Sequence, residues 1–261
     1  MAAMDDKIPT KLDYHGDMWK LQSTATLVSH FKGDDGRHVL TLDRTIFYAQ
    51  GGGQPADHGF IHFTDHDNIK FAVQDVRSKD GIVLHYGDFE CLEGEFEDIL
   101  QKGKEVSLFV DENRRKLNSR LHSAGHLLDS LMPRIGLGDL KPTKSYHFSD
   151  GPWVEYKGVI PQSEMQNKQK ELELEANALI SVGAKVSADI LPYDDAAYLC
   201  GGILPDYVPK ESTPRIVQVG DSPGCPCGGT HVLDISDIIK IKVSQIRSKK
   251  GTTKVFYNIE T

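Results

Sequence analysis

Two stretches far apart in the chain carry residue types that bind metals: "LHSAGHL" at 121–127 and "CPCGGTH" at 225–231. Residues four apart share a helix face, so His122 and His126 can aim both imidazoles at one point. The small Ser123, Ala124 and Gly125 between them keep that approach open. Gly125 lowers helix propensity by about 1 kcal/mol relative to alanine, which marks a place where something must come close. In the second stretch Cys227 and His231 are again four apart, and Gly228 and Gly229 let the backbone fold tightly enough for both to face one ion. Each stretch alone has a plainer explanation. Paired helix histidines are commonly core or surface residues, and Cys227 can be a small buried hydrophobe with His231 opening a strand. Together in one domain they make a His3Cys donor set, which suits zinc. Cys225 offers a competing sulfur beyond Pro226, but the turn-length spacing to His231 favours Cys227. Cys200 and Cys91 read as buried thiols.

A zinc ion there can either lower the pKa of a water or anchor a substrate group for attack by free water, and the residue types do not choose between the two. Four protein ligands leave no assured position for a water, which favours the anchoring role.

These residues need elements to hold them. From 23 to about 110 the chain runs as short β-branched or alternating stretches between turn signals: "STATLVSHF", "RHVLTL", "GFIHFT", "IKFAVQDV", "IVLHY" and "EVSLFV". Their even spacing predicts a small antiparallel β-barrel, whose closure removes exposed edges. At Asp111, a predicted N-cap, the period changes, and Leu117, Leu121, Ala124, Leu128 and Leu131 recur at helical spacing over 113–132. A second helix is expected from Ser163, with Gln166 completing a capping box, to Gly183. Strand-like "KVSADIL", a short helix at "DDAAYLC", strand "RIVQVG" and the hairpin "IIKIKVSQIRSKKGTTKVFYNI" follow. The expected class is α+β: a barrel domain over 1–108 with the glycine-rich motif, then a domain over 109–261 with the metal site between helix and glycine-rich turn.

The 261 residues, 39% hydrophobic, suffice for a proper core. No apolar run is long enough for a signal peptide or a membrane span, so a cytoplasmic protein is expected. Four cysteines in so long a chain fit metal binding or a reduced compartment better than a disulfide framework. A net charge of −8 excludes a protein that coats nucleic acid by bulk electrostatics. A nucleic-acid partner must meet local basic stretches, for which "DENRRKLNSR" (111–120), "LKPTKS" (140–145) and "IRSKKGTTK" (246–254) are candidates. Arg114, Arg115, Lys141, Lys144 and Lys249 are the cations expected to meet its phosphates.

Three ordered blocks resemble the free-standing AlaX-type alanyl-tRNA editing proteins, kin to the editing domain of alanyl-tRNA synthetase. "LDRTIFYAQGGGQPADHG" (42–59) is similar to the family's glycine-rich block, "RLHSAGHLL" to its His-x3-His helix, and "RIVQVGDSPGCPCGGTHV" to its Cys-Gly-Gly-Thr-His turn. The resemblance implies hydrolysis of the ester joining serine, and sometimes glycine, to alanine tRNA, with zinc as the cofactor and tRNA as the partner. It also implies a barrel like those of translation factors and an α/β editing domain shared with threonyl-tRNA synthetases. A stand-alone protein, monomeric by default, is the corresponding expectation. Thr45, Gln54 and Asp57 of the first block are then expected substrate contacts, with Gln54 positioning the ester or water through its amide. Sparing alanine while hydrolysing serine cannot be steric. A site that hydrogen-bonds a hydroxyl rejects the analogue lacking it by up to about 10⁴ to 10⁵. Thr143, seventeen residues after His126, matches the position of the family's serine-sensing threonine. Two other functions fit the same residues: deacylation of another mischarged tRNA (threonine tRNA or a D-aminoacyl-tRNA), and a non-catalytic RNA-binding module stapled by zinc.

Overall fold

The computed structural model describes residues 8–63, 69–90 and 100–260, so Cys91 and the last residue of the expected strand "GFIHFT" lie outside the described residues. The chain divides into two compact units, Met1–Gly51 with Pro55–Arg115, and Gly52–Gln54 with Lys116–Thr261.

The first unit is built on β1 (Gln22–Lys32), β2 (His38–Leu42), β3 (Gly59–Phe63), β4 (Lys70–Lys79), β5 (Ile82–Phe89) and β6 (Glu105–Val110). They close in the order β1–β2–β5–β4–β3–β6, every pairing antiparallel, which is the barrel expected from the strand spacing. The period-2 pattern does the sorting. In β3, Gly59, Ile61 and Phe63 are buried while Phe60 and His62 are less so. Leu27, Leu40, Ile61, Phe71, Val83 and Leu108 fill the interior, each 0% exposed.

The second unit begins within α1 (Glu112–Leu131). Asp111 caps this helix as expected, its carboxylate accepting from Arg114 N at 3.0 Å. After α1 come β7 (Lys141–Tyr146), β8 (Trp153–Lys157), α2 (Gln162–Val182), β9 (Val186–Ile190), α3 (Tyr193–Leu199), β10 (Arg215–Val219), β11 (Cys225–Pro226), β12 (Ile241–Lys249) and β13 (Thr252–Ile259). One sheet has the order β12–β13–β8–β7, and a second the order β9–β10–β11. Leu121, Ala124, Leu128 and Leu131 of α1 join Leu172, Ala176 and Ile180 of α2 and Val154, Val243 and Val255 of the sheet in one core. Helix α2 departs from expectation at its start: Pro161 occupies the N-cap position without a side-chain bond, so the Ser163–Gln166 capping box does not form. Its end is as expected, Gly183 stopping it at φ +80°.

Candidate metal centre

Helix α1 presents His122 and His126 on one face, and the turn after β11 presents Cys227 and His231. The ligand atoms of these four residues lie within 4.8 Å of one another, so the group could hold a metal ion. His126 Nε2 is 3.2 Å from His122 Nε2, and Cys227 Sγ is 3.6 Å from His122 Nε2 and 3.3 Å from His231 Nε2. Bonds of about 2.0–2.1 Å to nitrogen and 2.3 Å to sulfur give a tetrahedron with edges of about 3.3–3.6 Å. These three separations already stand near those values, and the whole set lies within 4.8 Å.

Each imidazole is held by its other nitrogen. The backbone N–H of Thr230, which can only donate, points at Gln54 Oε1 at 3.0 Å, and Gln54 Nε2 donates to Thr230 Oγ1 at 2.9 Å. Gln54 Oε1 is therefore an acceptor, and His122 Nδ1, 2.7 Å away, must donate to it. His122 Nε2 is left with its lone pair toward the cluster. Ser123 Oγ accepts from Val232 N at 3.1 Å and lies 3.1 Å from His231 Nδ1. Cys225 Sγ lies 3.1 Å from His126 Nδ1, the nitrogen turned away from the cluster. That contact separates the two sulfurs of Cys-Pro-Cys: Cys227 stands among the donors, and Cys225 stands behind one of them.

Burial lowers the pKa of His122 and His231 well below the usual histidine value and that of His126 to about 4. All three imidazoles are neutral at pH 7, the state that binds a cation. Burial raises Cys227, so its thiol keeps its proton until a cation displaces it.

Gly125 and Gly229 are explained by close approach. A Cβ at Gly125 would sit 2.3 Å from His147 Cε1, and one at Gly229 would sit 2.2 Å from His122 Cε1. His147 stacks on His122 with ring centroids 4.5 Å apart. Tyr257 OH donates to Leu121 O at 2.9 Å and so accepts from His147 Nδ1 at 2.6 Å, which leaves His147 Nε2 an acceptor. His147, Tyr257 and Thr230 were not singled out from the sequence, and Ser123 was read only as a small spacer between the histidines. The helix-breaking Gly125 was the one signal that a bulky group lay opposite.

Several expected site residues are placed elsewhere or have other work. Gln54 reaches the cluster, where its amide accepts from His122 and Thr230 and donates to Thr230. Thr45 is buried in the barrel unit, its Oγ1 2.8 Å from His85 Nε2. Asp57 and Arg115 are both 0% exposed and pair at 2.5 Å. Arg115 spends its remaining donors on Met18 O and Ile46 O. A guanidinium so enclosed reaches no phosphate, and a carboxylate so paired reaches no substrate; both hold the first unit together. Half-buried Arg114 donates through Nε to Ala56 O at 2.8 Å. Lys141, Lys144 and Lys249 are exposed on the sheet of the second unit. Thr143 is exposed on β7 at an irregularity in the pairing with β8, and its hydroxyl lies 3.1 Å from both Glu155 O and Glu155 Oε1.

Residues 5–114 match the family model described as tRNA synthetases class II (A). The alanyl-tRNA editing protein AlaX-L of Pyrococcus horikoshii is 33% identical over 239 residues, which are 90% of this chain and 54% of that protein. Alanine–tRNA ligase of Methanosarcina acetivorans is 32% identical over 251 residues, 94% of this chain and 25% of the ligase. The chloroplastic/mitochondrial alanine–tRNA ligase of Arabidopsis thaliana is 30% identical over 226 residues, 85% of this chain and 22% of the ligase. The chain thus spans about half the length of AlaX-L and about a quarter of the ligases.

Proposed function

We propose that this chain, a relative of alanyl-tRNA editing proteins and alanine–tRNA ligases along nine tenths of its length, is a trans-editing aminoacyl-tRNA hydrolase. Its substrates are alanine tRNA charged with serine and, second, with glycine. The observation that carries the reading is the convergence of His122, His126, Cys227 and His231 in a chain with these relatives. The donor set fits zinc in type, in number and in spacing. When bound, zinc would supply a Lewis-acid centre that holds the aminoacyl group.

The chain's own residues do the rest. Gln54 keeps the Nδ1 proton of His122 in place, so that ring offers Nε2. Ser123 and Cys225 do the same for His231 and His126. Stacked His147 fills the space that Gly125 leaves and fixes the plane of His122. Thr143 is our proposed serine sensor: a hydroxyl that donates to Glu155 keeps lone pairs to accept from a substrate hydroxyl. Alanine has no hydroxyl to offer there. Lys141, Lys144, Lys249 and Arg114 are proposed to meet the tRNA through phosphates and 2′-hydroxyls rather than base edges. We assign the tRNA-facing role to both predicted domains, 1–108 and 109–261, and the chemistry to the second. The test is a panel: alanine tRNA charged with serine, glycine and alanine, threonine tRNA mischarged with serine, and a D-aminoacyl-tRNA. Serine- and glycine-charged alanine tRNA should lose their esters fastest. Preferential hydrolysis of the mischarged threonine tRNA or the D-aminoacyl ester would move the substrate to that class.

A further inference from the structure

We propose that the outer face of the sheet β12–β13–β8–β7 seats an unpaired RNA strand, which in the reaction proposed above is the single-stranded 3′ end that carries the ester. The placement rests on that reading, but the site is argued from the sheet itself. Strand register sets three rows across one face. Tyr146, Trp153 and Phe256 stand opposite one another; two residues along, Lys144, Glu155, Lys254 and Arg247 do; beyond an irregularity that adds one residue to β7, Lys141, Lys157, Thr252 and Lys249 do. The alternate residues Val154, Tyr156, Val255 and Tyr257 are buried in the core, so these rows face outward.

The first row continues into a stack. Phe148 and Tyr146 lie 4.4 Å apart at 8°, Tyr146 and Trp153 6.1 Å apart at 17°, and Lys254 Nζ is 3.3 Å from the Trp153 ring centroid. Beside it lies a groove of about 380 Å³ lined by Arg247, Lys249, Lys250, Thr252, Lys254 and Phe256, with Glu155 its one acid. In a chain of net charge −8, four cations around one groove fit a strand of phosphates better than a single anion. The groove is small for a ligand site, which spans about 300 to 1,000 Å³. It takes nucleotides, not a double helix, and a duplex would hide its bases from the aromatic row. Strand β7 carries Tyr146 on this face and, next in the chain, His147 on the buried side, where its ring stacks on His122.

The chain has two tryptophans, so Trp19→Phe leaves Trp153 as the only indole. This variant should show saturable fluorescence quenching by a single-stranded RNA octamer and weaker quenching by duplex RNA of equal length. Arg247→Ala with Lys249→Ala, both exposed and outside the metal centre, should weaken octamer binding about tenfold and raise KM for charged tRNA with kcat little changed. Absence of quenching, equal quenching by duplex, or unchanged affinity and KM in the double variant overturns the site, even if serine-charged tRNA is hydrolysed. Quenching that the double variant weakens supports the site even if no charged tRNA is hydrolysed, an outcome that would sink the proposed function alone. Quenching by anionic phospholipid vesicles but not by RNA would reassign the face to a membrane surface and overturn the proposal.

Discussion

His126 meets Cys225 through Nδ1 and the cluster through Nε2, and that one ring tells the two sulfurs apart. The purified protein should hold about one zinc per chain. Cys227→Ala should lose it. Cys225→Ala and Gln54→Ala should keep it with affinity reduced about 10- to 100-fold, the effect of removing a group that only orients a ligand. Gln54→Glu, which still accepts from His122 and Thr230, should restore most of that affinity. Metal analysis and chelator competition read all four, and full occupancy in Cys227→Ala would contradict the ligand set. Thr143→Val keeps the side-chain shape and removes the hydroxyl. Hydrolysis of serine-charged alanine tRNA should fall roughly 10- to 100-fold, the loss of about 1.5 to 3 kcal/mol from one good hydrogen bond. Glycine-charged tRNA should change little. Equal loss on both esters would make Thr143 structural. The two histidine motifs were legible because helical spacing and a glycine-rich turn are local properties. The roles of Ser123, Thr230 and His147 were not, because their work depends on which segments meet: Gln54 and Thr230 are 176 positions apart. Arg115 misled for the same reason, since a cation in a basic run shows nothing of the carboxylate, Asp57, that buries it.

Among the elements, the barrel strands and α1 were readable from period alone, since alternation and the 3.6-residue repeat each dictate a buried face. Strands β7 and β8 were not. Pro142 inside "KPTKSY" argues against a strand, yet β7 lies at the sheet edge, where a missing N–H costs no ladder bond. The capping box failed because Pro161 starts α2 earlier, before Ser163 can cap it. Inside the barrel, His85 lies between Thr45 Oγ1 and Leu40 O, and burial pushes its pKa down to about 4. Its folded pKa is depressed below the unfolded value near 6.5. The unfolded chain therefore takes up the proton first, and stability present above pH 6.5 is lost as pH falls toward 4. The loss should be about 3 kcal/mol. Urea midpoints of the wild type and His85→Gln between pH 7 and 4 isolate this contribution. An identical pH slope in both proteins would contradict it.

Across the whole molecule, acidity and the proposed nucleic-acid binding are reconciled by where the cations lie. A net charge of −8 repels RNA at a distance, while the sheet face gathers Lys144, Arg247, Lys249 and Lys254. Binding of tRNA should therefore weaken as salt rises, through released counterions. Affinity constant between low and moderate salt would argue against phosphate contacts. Among the described residues no helix is long and apolar enough to cross a membrane. The central claim joins the four-residue cluster to one chemical selectivity, and a single comparison of rates tests it. Alanine tRNA charged with serine and the same tRNA charged with alanine are each incubated with a catalytic amount of the zinc-loaded protein, and ester loss is followed against the spontaneous rate. The account predicts rapid turnover of the seryl ester while the alanyl ester decays at its spontaneous rate; equal hydrolysis of the two, or hydrolysis of neither, would contradict it.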